Sequence, residues 1–575
     1  MKNRNKLLAL FLVLILSITT LSGCGEKQSF EKFLHNLFIS EVTGNTINLH
    51  YTLENPESYG IRYYPITLGS YDPDSSGDFV AGIKKLQFEL SSFPYQELTL
   101  EEQLTYDILK DFLDTQIKLS DFTLYEEPFS YSNGMQTQLP ILFAEYEFND
   151  ERDVQDYLQL LKLVDEYMED MIAFEKDKSA AGLFMSDELC QRVIDSCKAF
   201  WENQDKHYML TTFENRLKTL NLSEEKTAKY IKENATTFEE EIIPTYEMLI
   251  KEFTALLGSG KNTGGVCNLP DGKKYYELLV YSETGCDDSI QDIFDRIEDQ
   301  RYKDLLVCAD LVEKNPNIFA ECDAIIWTMP EEMEMLEHLE TAMLKDFPAC
   351  PDTNYSISYV DPALEDFLSP AFYITAPIDN YIDNTIYINN ANDGSDIYYF
   401  TTLAHEGFPG HLYQTVMSYE YELHPIRSIL NYAGYSEGWA TYIEMMSYYY
   451  ADLDPDVAEM LSHNQSATIS LYASSDIGIH YMGWTSEDMY NLWSSYGITD
   501  KDTINEITQL ILSEPGNYLK YYVGYLEFLE LKNYAKDLFG KDYSTIEFHR
   551  ALLDIGPAPF SIVEDYLGEF YSPQT

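Results

Sequence analysis

Of the ten histidines in the chain, two fall within one short stretch, His405-Glu406-Gly407-Phe408-Pro409-Gly410-His411. Side chains of these types are suited to one chemistry together. A zinc ion takes neutral imidazoles and a carboxylate, and it leaves a position for a water whose proton a neighbouring glutamate removes. Histidines four residues apart would share a helix face, but six separate these, which on a regular helix turns the second roughly 120° away from the first. A regular helix therefore cannot bring both to one metal. Pro409 has no N–H to donate and Gly410 is conformationally free, so the helix is expected to bulge or break there and swing His411 back. On spacing alone, a helix that simply ends at Pro409-Gly410 with two unconnected histidines is equally compatible. Glu437 tips the balance. It lies about two dozen residues on, in Tyr435-Ser436-Glu437-Gly438-Trp439-Ala440-Thr441-Tyr442-Ile443-Glu444, where a helix, a turn and an antiparallel helix would deliver it as a third ligand. Flanked by Tyr435, Trp439 and Tyr442, its carboxylate is expected to be paired or metal-bound.

The elements around these residues read as helical. Ile397 to Ala404 is an apolar run that leads into His405 as a buried helix. Thr99 with Glu102 forms a capping box ahead of Leu104, Ile108, Leu109, Phe112 and Leu113, an apolar face at helical spacing. Asp150 to Lys178 carries Val154, Tyr157, Leu158, Leu161, Val164 and Tyr167 in the same rhythm, and Asp454-Pro455 reads as an N-cap with proline at the first helical position. Strand signals concentrate in Phe372 to Asn389, where Tyr373-Ile374-Thr375 and Thr385-Ile386-Tyr387-Ile388 flank a polar turn. The expected fold is mostly α, with a small sheet beside the motif helix. Asp72-Pro73-Asp74-Ser75-Ser76-Gly77 begins like a calcium loop, but Ile83 stands where the closing glutamate belongs, so it reads as a turn.

The chain start assigns a compartment. Lys2, Arg4 and Lys6 precede the nearly continuous apolar stretch Leu7 to Leu21, the pattern of a secretory signal too short for a comfortable span. It ends Leu21-Ser22-Gly23-Cys24, which resembles the lipobox of bacterial lipoproteins, where cleavage precedes an acylated cysteine; an ordinary signal with an incidental Cys24 is the alternative. The resemblance implies a signal over 1–23, a palmitate-type lipid anchor on Cys24 with a tether over 24–29, and location on the extracytoplasmic face of the cell membrane. With no linker or repeat beyond the tether, residues 30–575 read as a single catalytic domain. A net charge of −59, from 97 acidic against 38 basic residues, excludes nucleic acid and restricts membrane contact to the anchor. The remaining cysteines are an odd set without a C-x-x-C pair, which rules against a cysteine zinc site. Cys267 with Cys286 and Cys308 with Cys322 are spaced for local bridges. The oligomeric state is not readable from the sequence.

The two motifs resemble those of bacterial lipoproteins catalogued as domain of unknown function 885, with H-E-x-x-P-G-H-x-x-Q, here His405 to Gln414, followed by E-G-W-A-x-Y-x-E, here Glu437 to Glu444. The likeness extends to Leu269-Pro270-Asp271-Gly272-Lys273-Lys274-Tyr275-Tyr276, to Asp476-Ile477-Gly478-Ile479-His480 with Gly483-Trp484, and to Phe548-His549-Arg550-Ala551-Leu552-Leu553. It implies a fold like the glutamate-zincin peptidases, with Zn2+ on His405, His411 and Glu437 and with Glu406 as general base. Pro515-Gly516-Asn517-Tyr518-Leu519-Lys520-Tyr521-Tyr522-Val523-Gly524-Tyr525 is similar to the tyrosine-bearing helix of angiotensin-converting-enzyme-type dipeptidyl carboxypeptidases. That likeness implies that Tyr521 donates to the developing oxyanion and Tyr518 holds the substrate carboxylate. His480 is the favoured further donor, ahead of His549. The expected function is a zinc metallopeptidase cutting short peptides, carboxypeptidase- or dipeptidase-like. The alternatives are a peptide-binding lipoprotein of the same fold and a metal hydrolase for another amide or ester. If Cys24 is the anchor, Cys24→Ser should leave the processed protein in the soluble fraction of fractionated cells; continued partitioning with membranes would rule the anchor out.

Overall fold

The computed structural model describes residues 29–71, 76–202, 207–325, 329, 331–360, 362, 365, 368–391 and 397–571. The expected signal, Cys24 with the tether up to residue 28, and the turn at 72–75 lie outside the described residues. The chain is mostly helical, with one small sheet. Among the described residues no helix is long and apolar enough to cross a membrane.

Local sequence accounts for many helix starts. The Thr99 hydroxyl accepts from Glu102 N at 3.2 Å while the Glu102 carboxylate accepts from Thr99 N at 2.9 Å, opening the helix Leu100–Leu119 over its buried Leu104, Ile108, Leu109 and Leu113. Asp454 accepts from Asp456 N at 3.0 Å ahead of Pro455. The single helix expected over 150–178 is instead two, Glu151–Leu161 and Val164–Ala181. The apolar stripe runs through the break without interruption, so its period gives no sign of it. The two halves pack on different partners, the first on the helix Glu224–Thr237 and the second on Ile243–Leu256.

The sheet contains β1 (Asn354–Tyr359), β2 (Ala371–Tyr373) and β3 (Asp383–Ile388), in the order β1-β3-β2. β2 and β3 pair antiparallel as expected, although β2 stops at Tyr373, short of Ile374 and Thr375. β1 pairs parallel with β3 and was not foreseen, because Asn354, Ser356 and Ser358 dilute its apolar signal. Side chains alternate across the pleat. Ala371, Tyr373, Ile386 and Ile388 join the core that holds the C-terminal helices, whereas Phe372 and Tyr387 join a second core built mainly from residues between 129 and 256. The sheet is thus buried on both faces at β2 and β3.

Five helices position the residues of interest: α1 (Ile397–Glu406), α2 (His411–Glu420), α3 (Ala433–Ser447), α4 (Pro455–Ile477) and α5 (Asn517–Phe539). α3 and α5 approach so closely that backbone meets backbone. A Cβ on Gly524 would stand 2.1 Å from the Gly434 carbonyl oxygen and 2.7 Å from Gly438 Cα. This contact draws Glu437, beside Gly438, toward Tyr521, one turn ahead of Gly524.

The seven cysteines from Cys190 to Cys350 are all free thiols, so neither expected bridge forms. Cys267 Sγ instead lies 3.4 Å from the Ile479 carbonyl, and Cys286 Sγ lies 3.7 Å from Arg296 Nη1. Gly524→Ala should destabilise the fold by about 1–3 kcal/mol, since the facing backbone cannot yield as a side chain would. Urea denaturation reads this as a lowered midpoint; an unchanged midpoint contradicts the close approach.

Candidate metal centre

α1 is buried along Tyr399, Phe400, Leu403 and Ala404, which presses its C-terminal end, His405-Glu406, into the interior. The helix stops at Glu406 and a new one starts at His411, so the chain does break at the Pro409-Gly410 site. A Cβ on Gly410 would fall 1.9 Å from the His405 carbonyl oxygen, which makes glycine a requirement of the turn. The turn is held from α3, where Trp439 Nε1 donates to the Pro409 carbonyl at 2.9 Å. The imidazoles of His405 and His411, which a continuous helix would aim apart, now stand 4.9 Å apart between centroids at 82°.

Glu437 completes the cluster from α3. Its Oε2 is 3.7 Å from His405 Nε2 and 3.6 Å from His411 Nε2, so one ligand atom from each of the three residues lies within 4.8 Å of the others. Tetrahedral zinc with bonds near 2.05 Å separates its ligand atoms by about 3.4 Å. The two separations from Glu437 Oε2 are slightly wider than that, and all three fall within 4.8 Å. All three atoms are buried and have no hydrogen-bond partner. Two imidazole nitrogens and a carboxylate oxygen form a donor set suited to Zn2+.

The charged groups of the cluster stabilise one another. Burial alone would raise the Glu437 pKa, but His405 and His411 hold it well below the ordinary carboxylate range. Burial alone would lower the His405 pKa, but Glu437, Glu444 and Glu406 outweigh it and hold the imidazole up at about 10. Carboxylates outnumber imidazoles here, which favours a cation.

Glu406 stands beside the cluster and outside the ligand set. One carboxylate oxygen accepts from Tyr373 N at 3.0 Å, on the sheet, and the other lies 3.9 Å from His405 Nε2. Burial raises its pKa against the pull of both histidines. Glu444 was read only as the end of a motif and given no role. Its Oε2 lies 3.7 Å from His405 Nδ1, and its Oε1 accepts from Gln465 Nε2 at 2.9 Å, so it backs the ring on the side away from Glu437. The signal existed in the sequence: residues seven apart on a helix differ by only about 20° in direction. Gln465, on α4, had no such signal.

The remaining expected residues divide. The Tyr521 phenol is buried, which raises its pKa, and the nearby charges of Glu437, Glu406 and Glu514 raise it further; it therefore belongs to the cluster's surroundings. Tyr518 stacks on Tyr472 at 5.0 Å and has Glu514 and Asp476 as charged neighbours, a setting that repels the carboxylate it was expected to hold. The donor role for His480 is corrected. Its Nδ1 accepts from Val266 N at 3.3 Å and its Nε2 donates to the Ile511 carbonyl at 2.9 Å, leaving no N–H for an oxyanion. His549 is likewise structural, stacked on Phe347 at 3.9 Å with its nitrogens on the Asp346 carbonyl and the Tyr442 hydroxyl.

Residues 58–567 match the sequence profile of a family described as bacterial protein of unknown function (DUF885). No curated protein sequence matches the chain. Among solved structures, a candidate lipoprotein from Colwellia psychrerythraea superposes with a TM-score of 0.83 at 18% identity, covering 94% of this chain and 99% of that one. A candidate lipoprotein of unknown function from Shewanella oneidensis superposes with a TM-score of 0.66 at 16% identity, covering 94% and 100%. At these identities the likeness establishes a shared fold.

Proposed function

Since the chain belongs to the DUF885 family of bacterial proteins of unknown function, we propose from its own residues that it is a zinc-dependent hydrolase of short peptides, anchored through Cys24 outside the cell membrane. The observation that carries this reading is the convergence of three buried, unpartnered donor atoms, His405 Nε2, His411 Nε2 and Glu437 Oε2. Orphaned polar atoms are rare in folded proteins, and three that meet in one place fit a divalent cation. A mostly helical fold with a small sheet beside the motif helix supports the reading as a glutamate-zincin-like peptidase.

When bound, Zn2+ supplies Lewis acidity, polarising a peptide carbonyl and making water a better nucleophile at neutral pH. The chain's residues do the rest. Glu406, steadied by Tyr373 N–H, takes a proton from the attacking water and returns it to the departing amine. Tyr521 donates its phenolic proton in a hydrogen bond to the oxygen on which negative charge develops. Glu444, itself held by Gln465, fixes the orientation of His405. Because the ligand atoms are buried, access suits slender substrates, which favours short peptides. The candidate-lipoprotein relatives support the anchor.

Purified protein should hold one divalent ion per chain, and Glu437→Ala should lose it on dialysis, because two imidazoles alone rarely retain zinc. Elemental analysis showing full occupancy in that variant would assign the third ligand elsewhere. Against a mixed peptide library read by mass spectrometry, Glu406→Gln should keep its fold and metal but turn over about two to four orders of magnitude more slowly. Unchanged turnover removes Glu406 as the base. A wild-type protein that binds peptides without cutting them points to a peptide-binding lipoprotein, and one that cuts only other amides or esters changes the substrate class.

A further inference from the structure

Three segments far apart in sequence supply none of the three clustered donor atoms and yet meet at one point: Leu269 to Tyr276, Asp476 to His480, and Pro515 to Tyr525. The meeting point is the N-terminal end of α5, the helix that carries Tyr521. That end needs outside help. The residue before it, Gly516, has the left-handed φ of +81° and no capping side chain of its own, and the first N–H groups of any helix lack partners within it.

Asp476, at the end of α4 and fully buried, supplies the help. Its two carboxylate oxygens accept from Gly516 N at 3.0 and 3.1 Å, and the Tyr518 N–H points to it as well. Tyr276, also fully buried, donates its phenolic hydrogen to Asp476 at 2.6 Å and so fixes the carboxylate in turn. Directly after Asp476, the chain makes a wide π-helical turn over Gly478–Met482. His480 within it ties Val266 N to the Ile511 carbonyl, locking the 265–268 loop and the helix before Pro515 to the same junction. Burial pushes Asp476 up to about 7 against the hydrogen bonds from Tyr276, Gly516 and Tyr518, which favour its charged form. A negative charge at this end of α5 also suits the helix dipole.

We propose that Asp476, held by Tyr276, is a positioning residue that sets the height and tilt of α5 and thereby the place of the Tyr521 phenol beside Glu437 and Glu406. The proposal rests on the hydrolase reading for its catalytic consequence, but the positioning itself does not. Tyr521 lies five residues from Gly516, about 7.5 Å along the axis, so a shift at the cap reaches the phenol nearly undiminished. Displacements near 1 Å are enough to slow an enzyme markedly.

The test uses Asp476→Asn and the milder Tyr276→Phe in the full chain, each alone and combined with Tyr521→Phe. Tyrosine labelled with carbon-13 at the ring carbon bearing the hydroxyl gives a Tyr521 signal, assigned through Tyr521→Phe. Both junction variants should move or broaden that signal in zinc-free protein, speed amide exchange over 515–521, and leave zinc content unchanged. On a cleaved peptide, kcat should fall about tenfold or more with KM within about threefold, and the double variants should be no slower than Tyr521→Phe alone. An unmoved Tyr521 signal overturns the proposal whether or not the protein cleaves peptides. Losses that add fully in the double variants, or loss of zinc with the junction, overturn it too, because they assign Asp476 a general structural role. If Asp476→Asn does not fold, Tyr276→Phe decides by the same readouts. A protein that cuts nothing while the signal moves as expected sinks the hydrolase reading alone.

Discussion

Three polar atoms without partners, buried within reach of one another, are the constraint on which the rest of the structure turns. Each buried polar atom left unsatisfied costs roughly 1–3 kcal/mol, and charged groups cost more. A fold that gathers His405 Nε2, His411 Nε2 and Glu437 Oε2 into one place accepts a cost that a cation would offset. The surrounding architecture serves that gathering. The break after Glu406 redirects His411, Trp439 holds the break by its indole N–H, and α3 brings both Trp439 and Glu437 on a single helix. The Glu-Gly-Trp sequence is therefore one device: a carboxylate aimed at the two imidazoles, a residue small enough for close packing, and a clamp on the turn between His405 and His411.

A second layer holds the first. Glu444 and Gln465 back His405, and the Tyr373 N–H backs Glu406, so the sheet and α4 both reach the cluster. The sheet can do this because β2 is buried on both faces and its backbone is fixed from two sides. Close packing of α3 on α5 then sets the distance between the His405, His411 and Glu437 cluster and Tyr521. The junction at Asp476 sets the remaining freedom of α5, its height and tilt. Two separate contacts thus determine where one phenol stands.

Charge is distributed with the same logic. The chain as a whole is strongly acidic, and the cluster is locally acidic as well, with Glu406, Glu437 and Glu444 around two imidazoles. Such a field disfavours anions close to the centre. It is one reason that Tyr518, with Glu514 and Asp476 beside it, makes a poor seat for a carboxylate, and it weighs against a carboxypeptidase within the hydrolase reading.

How much of this was legible in the sequence follows from the range of the forces involved. Helix caps such as Thr99 with Glu102 and Asp454 with Pro455 act within four residues, and the sequence alone determined them. The break at Pro409-Gly410 was legible because proline fixes its own φ and lacks an N–H while glycine tolerates backbone other residues avoid, and His405, His411 and Glu437 stood out because few other residue types suit a metal. What only the tertiary structure decided depends on partners distant in the chain. β1 pairs with a strand about thirty residues away, the helix expected over 150–178 is two, and the cysteines stay unbridged. His480 illustrates the difference most directly. Its residue type fits an oxyanion donor, but the Val266 amide and the Ile511 carbonyl, both remote in sequence, had already claimed its two nitrogens. A sequence names the groups that could do chemistry; the fold decides which of them remain free to do it, because a hydrogen bond to a distant backbone atom leaves no trace in local spacing.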